Sequence, residues 1–121
     1  MNETKHVLLR YRDGRVANAT VDAIDPAADS LTAVIDHGPS RQIPYSELKA
    51  VFFPREVPEE LLEPGGGMTL AVELFDGEVI RGTAHYNPEK NGFFLVPADR
   101  TRHDRIFIVN SAIHSIEVEK L

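Results

Sequence analysis

The sequence predicts an all-β chain of two tandem small barrels with five strands in each, and three observations carry that expectation. Asp13-Gly14 and Asp76-Gly77 each sit between alternating apolar residues, the strongest short-range hairpin signal, because glycine supplies a positive φ without strain. The segments after each hairpin follow in the same order, down to a shared Ser-x-aliphatic-x-x-aliphatic ending at Ser46 to Val51 and Ser111 to Ile116. No long helical pattern interrupts them.

Taken in order, Val7, Leu9 and Tyr11 fall at period two and predict a strand over residues 5–11. Val16 to Ala23 is its hairpin partner, and the turn residues from Asp25 to Ser30 lead to a third strand, Leu31 to Ile35. His37-Gly38-Pro39-Ser40 reads as a turn. Gln42 to Tyr45 makes a short fourth strand, where Pro44 demands an edge or a bulge because it lacks an amide hydrogen. A single helical turn at Ser46-Glu47-Leu48 then precedes Ala50 to Phe53.

The second half repeats this plan. Leu70, Val72 and Leu74 answer to Val7, Leu9 and Tyr11, and Val79, Gly82 and Thr83 answer to Val16, Ala19 and Thr20, all at one offset. The offset grows after a longer loop, which is where insertions are tolerated. The remaining strands are Phe93 to Val96, Arg105 to Val109 and Ile113 to Val118. A five-stranded unit of this length fits a small barrel in which the second strand bends sharply, and Gly82 and Ala19 supply the small residues at that bend. The units span residues 1–53 and 68–121. Between them, 54–67 is an acidic Pro/Glu/Gly linker in which Pro58 to Pro64 could form a short helix leaning on a barrel through Leu61 and Leu62. Merging all ten strands into one barrel or sandwich is the alternative architecture.

Composition narrows the function. The net charge of −6 disfavours non-specific attraction to phosphate backbones, so RNA is a weak expectation. With no cysteine there are no disulfides, thiol nucleophiles or thiolate metal sites. No signal peptide or long apolar run points to export or a membrane, so a cytoplasmic location is expected. His6, His37, His85, His103 and His114 lack metal-ligand spacing, and the serines form no nucleophile elbow. Ser46 and Ser111 instead suit hydroxyls bonding their own backbone at a turn. No enzyme activity, metal or cofactor is expected.

Two groups of residues remain as candidates. Arg100, Arg102 and Arg105, with Lys90, form the basic cluster, and guanidinium groups on a loop suit bidentate capture of phosphate or carboxylate. Phe52-Phe53 and Phe93-Phe94 each place one ring on either face of a strand, which nominates Phe52 and Phe94 as interface residues. Asp13, Gly14, Asp76, Gly77 and Gly82 are structural turns and bends.

The hairpin with a small residue in its second strand, then a third strand and a closing pair, makes each half similar to Sm-like and SH3-like barrels. Likeness to the Sm-like fold implies rings that bind RNA. The Ile-Arg-Gly type turn of that fold is replaced here by Pro44-Tyr45-Ser46 and Val109-Asn110-Ser111. From Val51 to about Val118, Phe52-Phe53-Pro54-Arg55-Glu56, Asp76-Gly77-Glu78 with Gly82, and Gly92-Phe93-Phe94-Leu95-Val96-Pro97-Ala98-Asp99 resemble an uncharacterised family of small bacterial domains. That resemblance implies a bacterial source and a regulatory or scaffolding context. The expected function is a non-enzymatic interaction or scaffold module that binds protein or self-associates through barrel edges. The alternative is anion, nucleotide or RNA binding at the Arg100 to Arg105 loop.

Overall fold

The computed structural model describes residues 5–56, 58, 61 and 65–119. The strands are β1 (Lys5–Tyr11), β2 (Val16–Val21), β3 (Ser30–Ile35), β4 (Ser40–Pro44), β5 (Leu48–Pro54), β6 (Met68–Leu74), β7 (Val79–Ala84), β8 (Gly92–Pro97), β9 (His103–Val109) and β10 (Ile113–Val118). Single turns of 3-10 helix at Tyr45–Glu47 and Asn110–Ala112 introduce β5 and β10. All ten strands lie in one open antiparallel sheet of order β10-β6-β7-β8-β9-β5-β1-β2-β3-β4. The two halves are therefore not separate sheets, because β5 of the first hydrogen-bonds to β9 of the second. The helix expected over Pro58 to Pro64 lies largely outside the described residues, as does Leu62, while Leu61 is exposed rather than packed. Among the described residues no helix is long and apolar enough to cross a membrane.

The two Asp-Gly hairpins differ from a two-residue turn in one respect. Tyr11 N–H donates to Arg15 O and Leu74 N–H to Glu78 O, so three residues form each loop and only the glycines take positive φ, 95° at Gly14 and 91° at Gly77. This is a three-residue loop that closes on a left-handed glycine. The aspartates serve through their carboxylates: Arg15 N–H donates to Asp13 Oδ1 at 2.9 Å and Glu78 N–H to Asp76 Oδ1 at 3.1 Å. The β3–β4 connection has the same length by register, Val34 facing Ser40 as Arg10 faces Val16, but takes positive φ at two non-glycine residues, Asp36 at 52° and His37 at 60°.

The pairings of the two halves share one register. Val7 faces Ala19 as Leu70 faces Gly82, and Ala19 faces Ile35 as Gly82 faces Pro97. Leu31 faces Ile43 as Phe93 faces Ile108. Leu9 faces Val51 as Val72 faces Ile116, and both ladders shift at their ends, where Tyr11 meets Leu48 and Leu74 meets Ile113.

Two hydrophobic cores result, on opposite faces of the central strand pair. Leu48, Val51 and Phe53 of β5 point into a core with Val7, Leu9, Val21 and Leu31, and Phe107 and Val109 of β9 join them. The alternate residues Ala50, Phe52, Ile106 and Ile108 point into the other core, with Leu70, Val72, Leu74 and Leu95. That double duty explains why Ala50 to Phe53 and Ile106 to Val109 read as unbroken apolar runs.

Candidate functional site

The basic loop after β8 uses its arginines locally. Arg100 Nη2 pairs with the Asp104 carboxylate and also donates to Asp104 O at 3.3 Å. The Arg105 guanidinium lies 4.5 Å from the ring centre of Phe53 and 4.7 Å from that of Phe94, a stacked geometry that spends the cation on aromatic faces. Arg102 is exposed, and its carbonyl accepts from Arg55 N–H at 2.9 Å. Lys90 precedes β8 whereas the arginines follow it. A six-residue strand spans about 20 Å, so Lys90 stands at the far end from them. His103 is lowered from its ordinary value by burial and by the nearby Arg102 and Arg10 charges, and its imidazole lies edge-on to Phe52 at 4.9 Å.

Neither candidate interface ring is exposed. Phe52 is buried beneath the Arg10 guanidinium, 5.0 Å away, because β5 is covered on both faces. Phe94 is half-buried, 5.2 Å from Phe107 and 6.0 Å from Phe53. The alternation argument assumed one open face, and a central strand has none.

An open groove of about 700 Å³ runs between the two 3-10 turns, with Tyr45, Ser46, Tyr86, Lys90 and Ser111 on its walls. Its chemistry is structural. Tyr45 O–H donates to Asp25 O at 2.7 Å, and burial, with the Asp25 and Asp29 charges, pushes the phenol up to about 12. Ser111 Oγ accepts from Arg12 Nη2 at 2.5 Å instead of bonding its own turn, and Arg12 also donates to Leu48 O and Tyr45 O. Among the described residues no group of three or more His, Asp or Glu could hold a metal ion.

Where the halves meet, charges are paired. Arg10 on β1 forks onto Glu78 at 3.2 and 3.0 Å, and Lys49 on β5 reaches Asp76 at 2.6 Å and Glu78 at 2.7 Å. No sequence motif marked this cluster. The polar residue inside the apolar run of β5 was the available signal, since a charge in a central strand requires a partner.

Among the described residues, β4 and β10 are the strands at the ends of the sheet, each with one strand neighbour. Pro44 sits on such an edge, where its missing amide hydrogen costs no ladder bond. Tyr45 N–H donates to Asp29 O and Glu119 N–H to Thr69 O, so the alternation of an antiparallel ladder turns the amides of Gln42 and Ile116 outward. Both edges carry charge, Arg41 on β4 and Glu117 on β10.

These features define an all-antiparallel β-sheet protein with two cores and two free edges. The chain belongs to the family of unknown function DUF6982, which it matches over residues 3–120. No curated protein and no solved structure matches it.

Proposed function

We propose that the protein is a non-enzymatic interaction module, a duplicated five-stranded unit of the Sm-like or SH3-like kind, that binds protein partners by adding a strand to its free sheet edges. The observation that carries this reading is the β5–β9 pairing, in which an edge strand of one half is already captured by the other half through main-chain hydrogen bonds. The matching registers of the two halves support the duplication. The local commitments of Arg100 and Arg105 speak for the edges over anion capture at that loop.

A random peptide library offered to the immobilised chain tests the reading. The expected binders are extended peptides that slow amide exchange at Gln42 or Ile116, and Gln42→Pro or Ile116→Pro removes their binding without touching the existing ladder. Binders that map instead to Arg102, or no binders at all, overturn it.

A further inference from the structure

The register shared by the two halves leaves one pairing unmade. β9 stands in the second half where β4 stands in the first, and β10 where β5 stands, so the junction β5–β9 has a counterpart, β10–β4, that no single sheet edge satisfies alone. We infer that the partner of these edges is a second copy of this chain, joined head to tail by β10 of one copy and β4 of the next. This inference rests on the edge-binding reading above and names its partner.

The junction inside the chain fixes the register of the one between chains. Val51 facing Phe107 becomes Ile116 facing Gln42, and Phe52 facing Ile106 becomes Glu117 facing Arg41. The backbone agrees independently, because the amides of Gln42 and Ile116 are the ones turned outward. Glu117 and Arg41 then form a pair between hydrogen-bonded rungs, where side chains come closest. Their charges are opposite.

The ion pairs at the junction carry over in the same way. Arg10 and Glu78 correspond to Glu73 and Arg15, so both signs reverse and the attraction is kept. Lys49 and Asp76 correspond to His114 and Asp13. Arg15 now pairs with the neighbouring Asp13 across a solvent-exposed 2.7 Å contact and lies 4.8 Å from the Tyr11 ring centre. The β10 side thus presents Glu73 and Glu117, and the β4 side Arg15 and Arg41.

Two exposed apolar side chains lie along the same route. Arg12 reaches Ser111 across the junction, and its counterpart is Phe75, half exposed at 50%, which would meet Ser46 of the next copy. Val118, 56% exposed, corresponds to buried Phe53. Elsewhere the free edges are more polar than the internal junction, with Ser115 and Glu117 in place of Ala50 and Phe52 and Gln42 in place of Phe107. The contact is accordingly weaker than the internal one and salt-dependent. A head-to-tail contact closes into a ring or grows as a filament. A closed ring of these chains contains an even number of halves.

Light scattering with sedimentation on the full chain, at low and high salt, tests the inference. The wild type is expected to associate, less so at high salt. Arg41→Glu and Glu117→Arg, both exposed and checked for folding by circular dichroism, each weaken association about tenfold or more. Mixing the two variants restores it, because each then meets an opposite charge. In this cysteine-free chain, Arg41→Cys mixed with Glu117→Cys oxidises to a covalent dimer, whereas Arg41→Cys with Ser115→Cys does not. A wild type that stays monomeric at low salt, or association indifferent to these charges, overturns self-pairing. Peptide capture at Gln42 or Ile116 would survive that outcome, so the two failures are distinguishable.

Discussion

Lys49 and Glu78 are joined across the middle of the sheet, Nζ to Oε1 at 2.7 Å, with Lys49 only 5% exposed. The pair ties the central strand β5 to the β6–β7 hairpin, and Arg10 closes on the same carboxylate from β1. Removing Glu78 takes the carboxylate from Arg10 and leaves Lys49 with Asp76 alone. Glu78→Ala is expected to destabilise the fold by about 2 kcal/mol in urea unfolding, after allowance for the partial exposure of the carboxylates. A change below about 0.5 kcal/mol would mean that Asp76 and water already satisfy Lys49.

The same cluster sets part of the pH profile. Lys49 and a backbone hydrogen bond hold Asp76 below its ordinary 3.8; burial opposes the charge of Glu78, but hydrogen bonds from Lys49 and Arg10 outweigh it and hold Glu78 below 4.5. A depressed carboxylate contributes stability above its unfolded value and loses it as pH falls through the folded one. His103, also depressed, resists protonation in the fold, so its contribution declines as pH drops below 6.5. At the other end, burial opposes the Lys49 charge but Asp76 and Glu78 raise it above 10.5, and Tyr45 is raised from 10.0 to about 12. Both favour the protonated fold and lose stability as pH climbs past 10. These groups predict a plateau between about pH 6.5 and 10 with decline on both sides. Glu78→Gln should flatten the acid limb in a series of melts, and an unchanged limb would assign acid sensitivity to other groups.

Strand positions were legible because period-two alternation and Gly/Pro/Asn/Asp turns are local signals. Lys5–Tyr11 and Ile113–Val118 fall where alternation places them, and Pro44 announced its own edge. The β5–β9 pairing was not legible. The apolar runs at Leu48 to Phe53 and Ile106 to Val109 say that both faces are covered without saying by what, and their partners are remote in the chain. The fates of Lys49, Phe52 and Arg105 follow from that pairing. A lysine in an alternating strand reads as solvated until the strand proves central, and an arginine in a polar loop reads as an anion ligand until Phe53 and Phe94 come beneath it.

The β3–β4 turn is a place where the chain can be improved. Gly38 N–H donates to Ile35 O at 2.9 Å, and the two central residues, Asp36 and His37, both occupy the left-handed region that glycine enters without strain. His37→Gly relieves that strain at an exposed position, and the gain outweighs the extra freedom of the unfolded chain. The expected effect is stabilisation by about 0.5 kcal/mol, read as a higher urea midpoint at unchanged slope. A lower midpoint would show that the imidazole makes a contact worth more than the strain.

Gly82 and Ala19 occupy the same place in the two halves, each beside the third strand of its half, but the space differs. A Cβ on Gly82 would run into the Val96 carbonyl oxygen and come within 2.6 Å of Leu95 Cδ2 and 2.9 Å of Pro97 Cα. Two of those atoms are backbone, so β8 itself must move. Gly82→Ala is expected to cost about 3 kcal/mol, the upper range for overpacking, whereas Ala19→Gly should cost about 1 kcal/mol in lost strand preference. Leu95→Ala tests the cause. If the clash were with the leucine side chain, the double variant would recover stability; because the obstruction is the Val96 carbonyl, it should fall further, by the added cost of a cavity at a fully buried position. Recovery in Gly82→Ala/Leu95→Ala would place the tight contact on the side chain and free the β7–β8 spacing from dependence on glycine.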